Sequence, residues 1–353
     1  MKRICFLADA KSYHTERWVN YFVSRGHNCH LISFEKGEGI KSKFHFLAPK
    51  ISHPGLKFFF AKKETEEIIL KIKPDIINAH FVISYGVLGA MVKKRPLVVS
   101  CWGSDILLSP KKSFLHRLRV DYVLNRAELL TSDGFNLTKV LMGMGVDGEK
   151  IVTSPMGVDE KFLNLEKKKN KNSITILSLR RLEPLYDLKT LICAIPLVLK
   201  KTQKPTKFVI VGEGSQKNYL ISLAYSLNVE DYIEFKGRVT QDEFLRLISY
   251  SDIYVSTSLS DSTSVSLLEA MASGLIPVVT DIPGNREWVK ENQNGFLFSS
   301  KDYKNLAQKI IQLINNLEKY EFFKEKNFSI IKKKAIWEEN MRVIENRFLE
   351  LCQ

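Results

Sequence analysis

The sequence predicts an α/β protein built of two consecutive doubly wound domains, each a parallel sheet flanked by helices. Three observations predict it. The length of 353 residues is about twice that of an ordinary domain. Short apolar runs alternate with amphipathic stretches along most of the chain, the pattern of successive βαβ units. The alternation is interrupted at 166–172 (EKKKNKN), a charged stretch without apolar period, and then restarts.

The elements follow in order. Residues 4–8 read as the first strand. Lys2 and Arg3 before them look like the start of a secretory signal, but Asp9 and Lys11 end the apolar run too early for one. Residues 16–25 have helical spacing, with Trp18, Val19, Phe22 and Val23 on one side and Gly26 as the stop. A strand follows at 29–34 and a helix at 62–71, closed by Pro74. Short, buried-looking strands at 75–80, 97–101, 129–132 and 151–153 complete the first half. Beyond the charged stretch, strands are expected at 173–179, 207–211, 233–236, 253–256 and 276–280, with helices at 188–200, 219–227, 241–249 and 267–272. Pro196 is expected to cap or kink the helix in which it lies. The tail, 327–353, reads as helical and carries Phe328, Ile330, Ile331, Ile336 and Trp337. The expected division is therefore a domain over 1–165, a linker over 166–172, a domain over 173–330 and a terminal helix over 331–353.

The composition, 44% apolar and 26% charged, is that of a globular chain with a sizeable core in each half. No apolar run approaches the roughly 20 residues that span a bilayer. The five cysteines are scattered, odd in number and without a CxxC pair. They support neither a disulfide framework nor a zinc site, and a reduced cytoplasm fits them. The formal net charge is +14; residues 1–165 hold 25 Lys/Arg against 16 Asp/Glu, and the remainder 28 against 23. Such a surplus attracts nucleic acid, anionic lipid or a phosphorylated small molecule, or reflects only a lysine-rich solvated surface. No nucleic-acid-binding signature accompanies it, so no nucleic-acid partner is expected. Two segments of the first half mix basic and aromatic residues, 57–63 (KFFFAKK) and 111–126 (KKSFLHRLRVDYVLNR). Each suits an anionic membrane surface, or else an ordinary solvated basic face.

Ligands of doubly wound sheets bind beyond the carboxyl ends of the strands, and between two facing sheets the cleft is the default site. The segment richest in chemistry is 258–287 (SLSDSTSVSLLEAMASGLIPVVTDIPGNRE). Asp261 falls in the loop after a strand, and Glu269 falls in the following helix. The small residues Ser262, Thr263 and Ser264 leave amides open at that helix start, where free N–H groups and the helix dipole favour phosphate. Glu269 can accept two hydrogen bonds from a ribose diol. The same pattern also describes a capped helix with one surface glutamate.

That segment resembles the Glu-x7-Glu motif of retaining glycosyltransferases of GT-B fold, in glycosyltransferase family 4, the group 1 glycosyl transferases. The likeness runs through LLEAMASGLIPVV into PGNRE and NGFL. In chain order GHNCHLIS, DIINAHF, WGSDIL, KIVTSPMGVDEKF, LSLRRLEPLYDLKTLI, VIVGEGS and FKGRVTQDEF resemble further stretches of the family, so that it covers nearly all of 1–300. The resemblance implies two Rossmann-like domains facing a cleft. The N-terminal one would take the acceptor and the C-terminal one the nucleotide-sugar, with the last helix packing back on the first domain. The implied reaction moves a sugar, with retention of anomeric configuration, from a nucleotide-sugar donor to a hydroxyl of a saccharide or lipid-linked saccharide acceptor. Cell-surface polysaccharide or glycoconjugate synthesis is the implied setting. A non-catalytic nucleotide-sugar-binding protein and a nucleotide-sugar epimerase on the same fold are the alternatives. No cofactor and no metal are expected, and the sequence holds no Asp-x-Asp pair, P-loop or Gly-x-Ser-x-Gly elbow.

The resemblance carries over residue by residue. Glu269 matches the glutamate on the nucleotide ribose. Asp261 holds the first acidic position, near the donor sugar, where glutamate is usual, and its shorter arm draws the carboxylate back by about one bond. Ser264, Val265 and Ser266 match the segment whose amides approach the diphosphate. Arg181 matches the arginine that neutralises the donor phosphates, a planar fork of permanent charge. The usual partner lysine falls at Tyr186, which brings a hydroxyl and no charge; Arg180 or Lys189 nearby compensates for it, or both are solvated. Arg238 and Val239 match the place where backbone atoms meet the nucleobase. Gly212 and Gly214 shape a loop after a strand. In the first half, Trp102 stands where a histidine is frequent in a His-Gly-x-Asp stretch; it offers a flat face to a sugar or packs the floor between the domains. Asp105 caps the next helix or bonds a sugar. His80, at a strand end, and His14, in the first strand–helix loop, meet a ligand hydroxyl or serve the core. Arg181 and Asp261 are thus the expected catalytic pair, and His14, His80, Trp102 and Asp105 the residues expected in the cleft or toward the acceptor. The expected location is the cytoplasm, at the inner face of the membrane if the basic segments bind lipid.

Overall fold

The computed structural model describes residues 1–48, 51, 53, 55–168 and 173–353. The chain divides into two compact units, Met1–Pro155 with Glu339–Gln353, and Met156–Glu338. Residues 169–172 of the expected linker lie outside the described residues. The boundary falls at Pro155 rather than after 165, because 156–165 pack within the second unit. Val158 bridges to Ile336 in parallel fashion, and Phe162 is buried in a core of that unit. Residues 331–338 also stay with the second unit, where Ile331, Ala335 and Ile336 are buried. The expected single tail helix is two, Phe322–Lys334 and Trp337–Glu350.

The first unit holds a parallel sheet of seven strands: β1 (Arg3–Leu7), β2 (Asn28–Ser33), β3 (Lys43–Phe46), β4 (Ile76–His80), β5 (Leu97–Cys101), β6 (Leu129–Ser132) and β7 (Ile151–Thr153). Their order is β3-β2-β1-β4-β5-β6-β7. The register places Cys5 opposite His30 on one side and Ile77 on the other. Alternation along β1 makes two faces. Cys5 and Leu7 enter one core with Ile77, Val99 and Leu130. Phe6 meets Phe22 of the helix Tyr13–Ser24, ring centres 5.6 Å apart. Burying each such side chain contributes about 1.5–3 kcal/mol. The last helix packs here too: Phe348 stacks on Phe22 at 5.2 Å. Its buried Glu345 accepts from Tyr21 Oη at 2.9 Å and Arg25 Nε at 3.0 Å, and bonds His27 Nε2 at 2.9 Å.

The second unit holds six parallel strands: β8 (Ile174–Leu179), β9 (Thr206–Val211), β10 (Ile233–Gly237), β11 (Ile253–Ser256), β12 (Ile276–Thr280) and β13 (Phe296–Phe298). Their order is β10-β9-β8-β11-β12-β13. Each face of the sheet has its own apolar core. The helix Leu188–Lys201 sends Leu188, Leu191, Ile192 and Ile195 into one of them, at helical spacing. Pro196, expected to cap or kink this helix, sits inside it, and the helix continues to Lys201. Strand order reverses once in each sheet, between β1 and β4 and between β8 and β11. At such a point successive crossovers leave in opposite directions and a crevice opens at the carboxyl ends.

Candidate functional site

In the second unit a charge pair spans the reversal point. Arg180 directly follows β8, and Asp261 lies in the loop leaving β11. The Arg180 guanidinium donates from Nη2 to the Asp261 carboxylate and from Nε to Ser256 Oγ at 3.1 Å. Its central carbon lies 5.2 Å from the centre of the Tyr186 ring, and the side chain is only 9% exposed. Burial alone would lower the Arg180 pKa; the Asp261 charge, with Tyr254 and Tyr186 beside it, outweighs that and the net shift is upward. The solvated reading of Arg180 is therefore corrected: its counter-ion arrives from the neighbouring strand. Lys189 is exposed. Arg181 is 73% exposed, with Glu183 Oε1 3.6 Å away.

The loops around this pair are stitched by main-chain bonds. Leu182 N donates to Glu213 O at 3.0 Å, Gln216 N to Leu182 O at 2.8 Å, and Gly212 N to Gly237 O at 2.8 Å. The packing explains the two glycines after β9. A Cβ on Gly212 would lie 2.1 Å from the Arg180 carbonyl oxygen, and one on Gly214 2.3 Å from that of Leu182. On the other side, Thr257 Oγ1 donates to Tyr186 O at 2.7 Å and Leu259 N to Leu185 O at 2.9 Å. The turn bearing Tyr186 is thereby fixed to the β11 loop.

The helix expected from 267 starts earlier, as Val265–Ala272. Ser264 is its N-cap: extended, with Oγ accepting from Leu267 N at 3.2 Å. Ser266 Oγ bonds Tyr254 Oη at 2.9 Å and Ser264 Oγ at 3.1 Å. Thr263 is 8% exposed, yet its Oγ1 has no hydrogen-bond partner. Glu269 is half-buried within the second turn of the helix. Arg238 is exposed, and Val239 packs, half-buried, on the apolar core beneath. Gly284 abuts the backbone of Asp261 and Ser262. The residues expected to hold a donor thus lie on loops leaving the carboxyl ends of β8, β10 and β11.

In the first unit, His80 ends β4, Trp102 follows β5, and His14, expected in the loop, lies in the first turn of the helix after β1. Their rings form a cluster: His80–Trp102 4.8 Å, His14–Trp102 5.8 Å and Trp18–His80 5.5 Å between centres. A bond chain sets the His80 tautomer. Asn78 Nδ2 donates to Ser100 Oγ at 3.0 Å and Val98 O at 3.4 Å, so its Oδ1 faces His80 Nε2, 3.0 Å away. That nitrogen must carry the hydrogen. Nδ1 is left as a bare acceptor without a partner. Burial, with His14 adding to it, lowers the His80 pKa to about 3. Burial, with Arg17 adding to it, lowers that of His14 to about 4. His14 Nδ1 and Trp102 Nε1 are buried without partners as well. Three unsatisfied nitrogens in a neutral aromatic cluster suit hydroxyl groups, which both donate and accept.

Asp105 is fully buried. It lies inside the short helix Ser104–Leu107. Its carboxylate accepts from Val82 N at 3.0 Å and Trp102 N at 3.2 Å, fastening the turn after β5 to the turn after β4. Burial raises its pKa to about 6 in spite of these bonds. The turn it holds starts at Phe81, whose φ of 68° costs a non-glycine residue about 1 kcal/mol or more. Among the described residues, no group of three or more His, Cys, Asp or Glu is placed to hold a metal, and no helix is long and apolar enough to cross a membrane.

Two features at the donor edge escaped the sequence reading: the unpartnered Thr263 hydroxyl and Gly284. The missing charge at 186 was a usable signal for Arg180. Thr263 and Gly284 gave none beyond membership of a matching segment.

Two parallel sheets with polar loops at their carboxyl ends define a two-domain α/β protein of GT-B fold. The family model of the Glycosyl transferases group 1 matches 159–329, and that of Glycosyl transferase 4-like matches 3–134; the chain belongs to this family and is a glycosyltransferase. It is 22% identical over 325 residues to the N-acetyl-alpha-D-glucosaminyl L-malate synthase of Bacillus anthracis, covering 84% of this chain and 82% of that one. It is 27% identical over 300 residues to the amylovoran biosynthesis glycosyltransferase AmsK of Erwinia amylovora, covering 78% and 73%. Among solved structures, Anabaena HepE in complex with UDP and glucose aligns with a TM-score of 0.80 at 19% identity, over 99% of this chain and 100% of that one. TarM of Staphylococcus aureus aligns at 0.78 and 15%, over 99% of each.

Proposed function

We propose that this glycosyltransferase takes a nucleotide-sugar donor, retains the anomeric configuration and requires no metal. The observation that carries the reading is the carboxyl edge of β8 and β11. There the capped start of Val265–Ala272, the unpartnered Thr263 Oγ1 and the Arg180–Asp261 pair border the reversal of strand order. Open amides and the helix dipole suit a diphosphate, Glu269 the ribose, 238–239 the base and Asp261 the sugar. The HepE complex with UDP and glucose supports a nucleotide-sugar as the donor. The barrier then falls mainly by stabilising charge on the departing diphosphate, through Arg181 and the amides near Ser264. No covalent nucleophile is needed, which favours a front-face route.

We assign the acceptor hydroxyl, of a saccharide or a lipid-linked saccharide, to the His14–His80–Trp102 cluster of the first unit. AmsK, named for amylovoran biosynthesis, supports a saccharide. Membrane contact is supported by a patch in the same unit. Leu56, Phe59, Phe60, Phe114, Leu115 and Leu118 are exposed, and Arg119 lies 5.9 Å from the Phe59 ring, so the two basic aromatic segments adjoin. Each cation near an anionic surface adds about 1 kcal/mol. Flotation with anionic vesicles that leaves all the protein at the bottom rejects this contact.

The donor reading is tested by thermal shift against UDP-, GDP-, ADP- and CMP-sugars in metal-free buffer. One nucleotide class should raise Tm, and Glu269→Ala should abolish the rise. Release of free nucleoside diphosphate on adding acceptor separates a transferase from an epimerase or a mere binder. No shift with any donor refutes the reading.

A further inference from the structure

We propose that Arg180 is a ligand-contacting residue: with its open Nη1 edge it supplies a second positive charge to the donor's diphosphate, from a seat on the Tyr186 ring. The proposal rests on the nucleotide-sugar reading above and gives a role to a residue to which that reading assigns none.

A buried guanidinium is costly unless its charge and its donors are used. Here two of its three nitrogens are used within the protein, Nε on Ser256 and Nη2 on Asp261. Nη1 donates to nothing among the described residues, and it is not among the buried atoms left without a partner, so it is open to solvent. A planar fork held at two edges has the direction of its third edge fixed. That is preorganisation: the donor is aimed before a ligand arrives and no reorganisation follows binding.

The surroundings specify an anion. Asp261 fixes the fork but can only accept hydrogen bonds, so it serves hydroxyls rather than phosphate oxygens. Two residues on, Thr263 is buried with an unpartnered Oγ1, and the next residue caps the open amides of Val265–Ala272. Donors without acceptors therefore gather on one loop and on the guanidinium beside it. An oxyanion with several oxygens satisfies them together, and a single hydroxyl does not.

Tyr186 then has a purpose that its lack of charge conceals. Its main chain is fixed by Thr257, and its ring lies under the guanidinium at 5.2 Å. Aromatic faces hold guanidinium groups in this way, with about 0.5–2 kcal/mol of attraction. The cation is carried on residue 180, and residue 186 is its platform. A lysine at 186 would bring its ammonium group into the same neighbourhood.

The test is calorimetric titration of the full chain, in metal-free buffer, with UDP, GDP and ADP and with uridine, guanosine and adenosine. Arg180→Met should weaken the preferred nucleoside diphosphate at least tenfold and change the matching nucleoside less than twofold. Arg180→Met/Tyr186→Lys should recover most of the loss, because a cation returns to the same place. Arg180→Met strands the Asp261 charge, so Arg180→Met/Asp261→Asn serves as the folded control and should show the same selective loss. Diphosphate affinity within twofold of wild type in Arg180→Met overturns the proposal. So does an equal loss for nucleoside and diphosphate, or a failure of the added Tyr186→Lys change to restore binding. If wild type itself binds no nucleoside diphosphate, the nucleotide-sugar reading falls and takes this proposal with it.

Discussion

Replacing Gly284 with alanine moves the donor loop without touching a charged group. The residue lies in the turn Pro283–Arg286 after β12. A Cβ there would sit 2.3 Å from the Ser262 carbonyl oxygen and 2.4 Å from that of Asp261, where ordinary contact begins at 3.4 Å. Both obstacles are backbone, so they cannot swing aside as the end of a side chain can; the loop must retreat by about 1 Å, the shortfall in those contacts. Gly284 is not at positive φ, so alanine fits the conformation and the whole cost comes from contact. Overpacking of this kind costs about 1–3 kcal/mol, or several degrees of Tm for a unit of this size. The effect on turnover should be larger. The displaced atoms lead directly into Thr263 and the Ser264 cap, and a misplacement of about 1 Å can cost on the order of 100-fold in rate. Differential scanning fluorimetry reads the first effect, and nucleotide release with donor and acceptor present reads the second. We expect Gly284→Ala to remain folded with kcat/KM down roughly 10- to 100-fold. Wild-type Tm together with wild-type kcat/KM would refute the steric reasoning. A lowered Tm with unchanged kcat/KM would refute the link between this turn and the site.

Other perturbations have equally definite outcomes. Glu345→Gln removes the charge that meets Arg25 and His27; Arg25 is half-exposed and keeps its solvation, so the cost should be about 1–3 kcal/mol at neutral pH, from the buried bonds lost. Burial by itself would raise the Glu345 pKa, but its bonds to His27, Tyr21 and Arg25 bring the net shift downward. The stabilisation is therefore present above the ordinary glutamate range and is lost as pH falls through the lowered value, so the variant should converge on wild type in acid denaturation curves. Asp105 works the other way. Its pKa is raised to about 6, so the folded state holds the proton more tightly and this contribution to stability falls as pH rises from about 4 to about 6. Asp105→Asn should abolish that slope in urea titrations across the window, whatever its offset; an unchanged slope refutes the assignment. His80 is neutral in the folded state, so its imidazole NMR signals should not titrate between pH 8 and pH 5, given a value of about 3. His80→Phe should raise the acceptor KM and leave binding of the nucleoside diphosphate unchanged.

The fold was legible because parallel strands buried on both faces read as continuous apolar runs. Such runs mark β4, β5 and β12, each buried along its whole length. The strands left unread are β3, an edge strand (KFHF) with no fully buried residue, and β13, three residues long. At the site, the small residues ahead of the helix and the spacing of Asp261 and Glu269 were legible because one loop and one helix carry them all. The burial of Arg180 and its partners were not legible, for a reason that local patterns cannot repair. Its partners Ser256 and Asp261 are 76 and 81 residues away, and they become neighbours only because β11 pairs with β8, skipping β9 and β10. Asp105 is the same case on a smaller scale, since the amide it accepts from, that of Val82, lies across the β4–β5 step, 23 residues back. In a doubly wound sheet the two strands at the order reversal are adjacent in space and remote in sequence, and the ligand binds where they end. A charged residue just after either strand should therefore be paired with the loop after the other before it is taken as solvated. Applied to 180 and 261, that pairing turns a surface arginine into an aimed cation, and the tyrosine at 186 from a lost charge into its support.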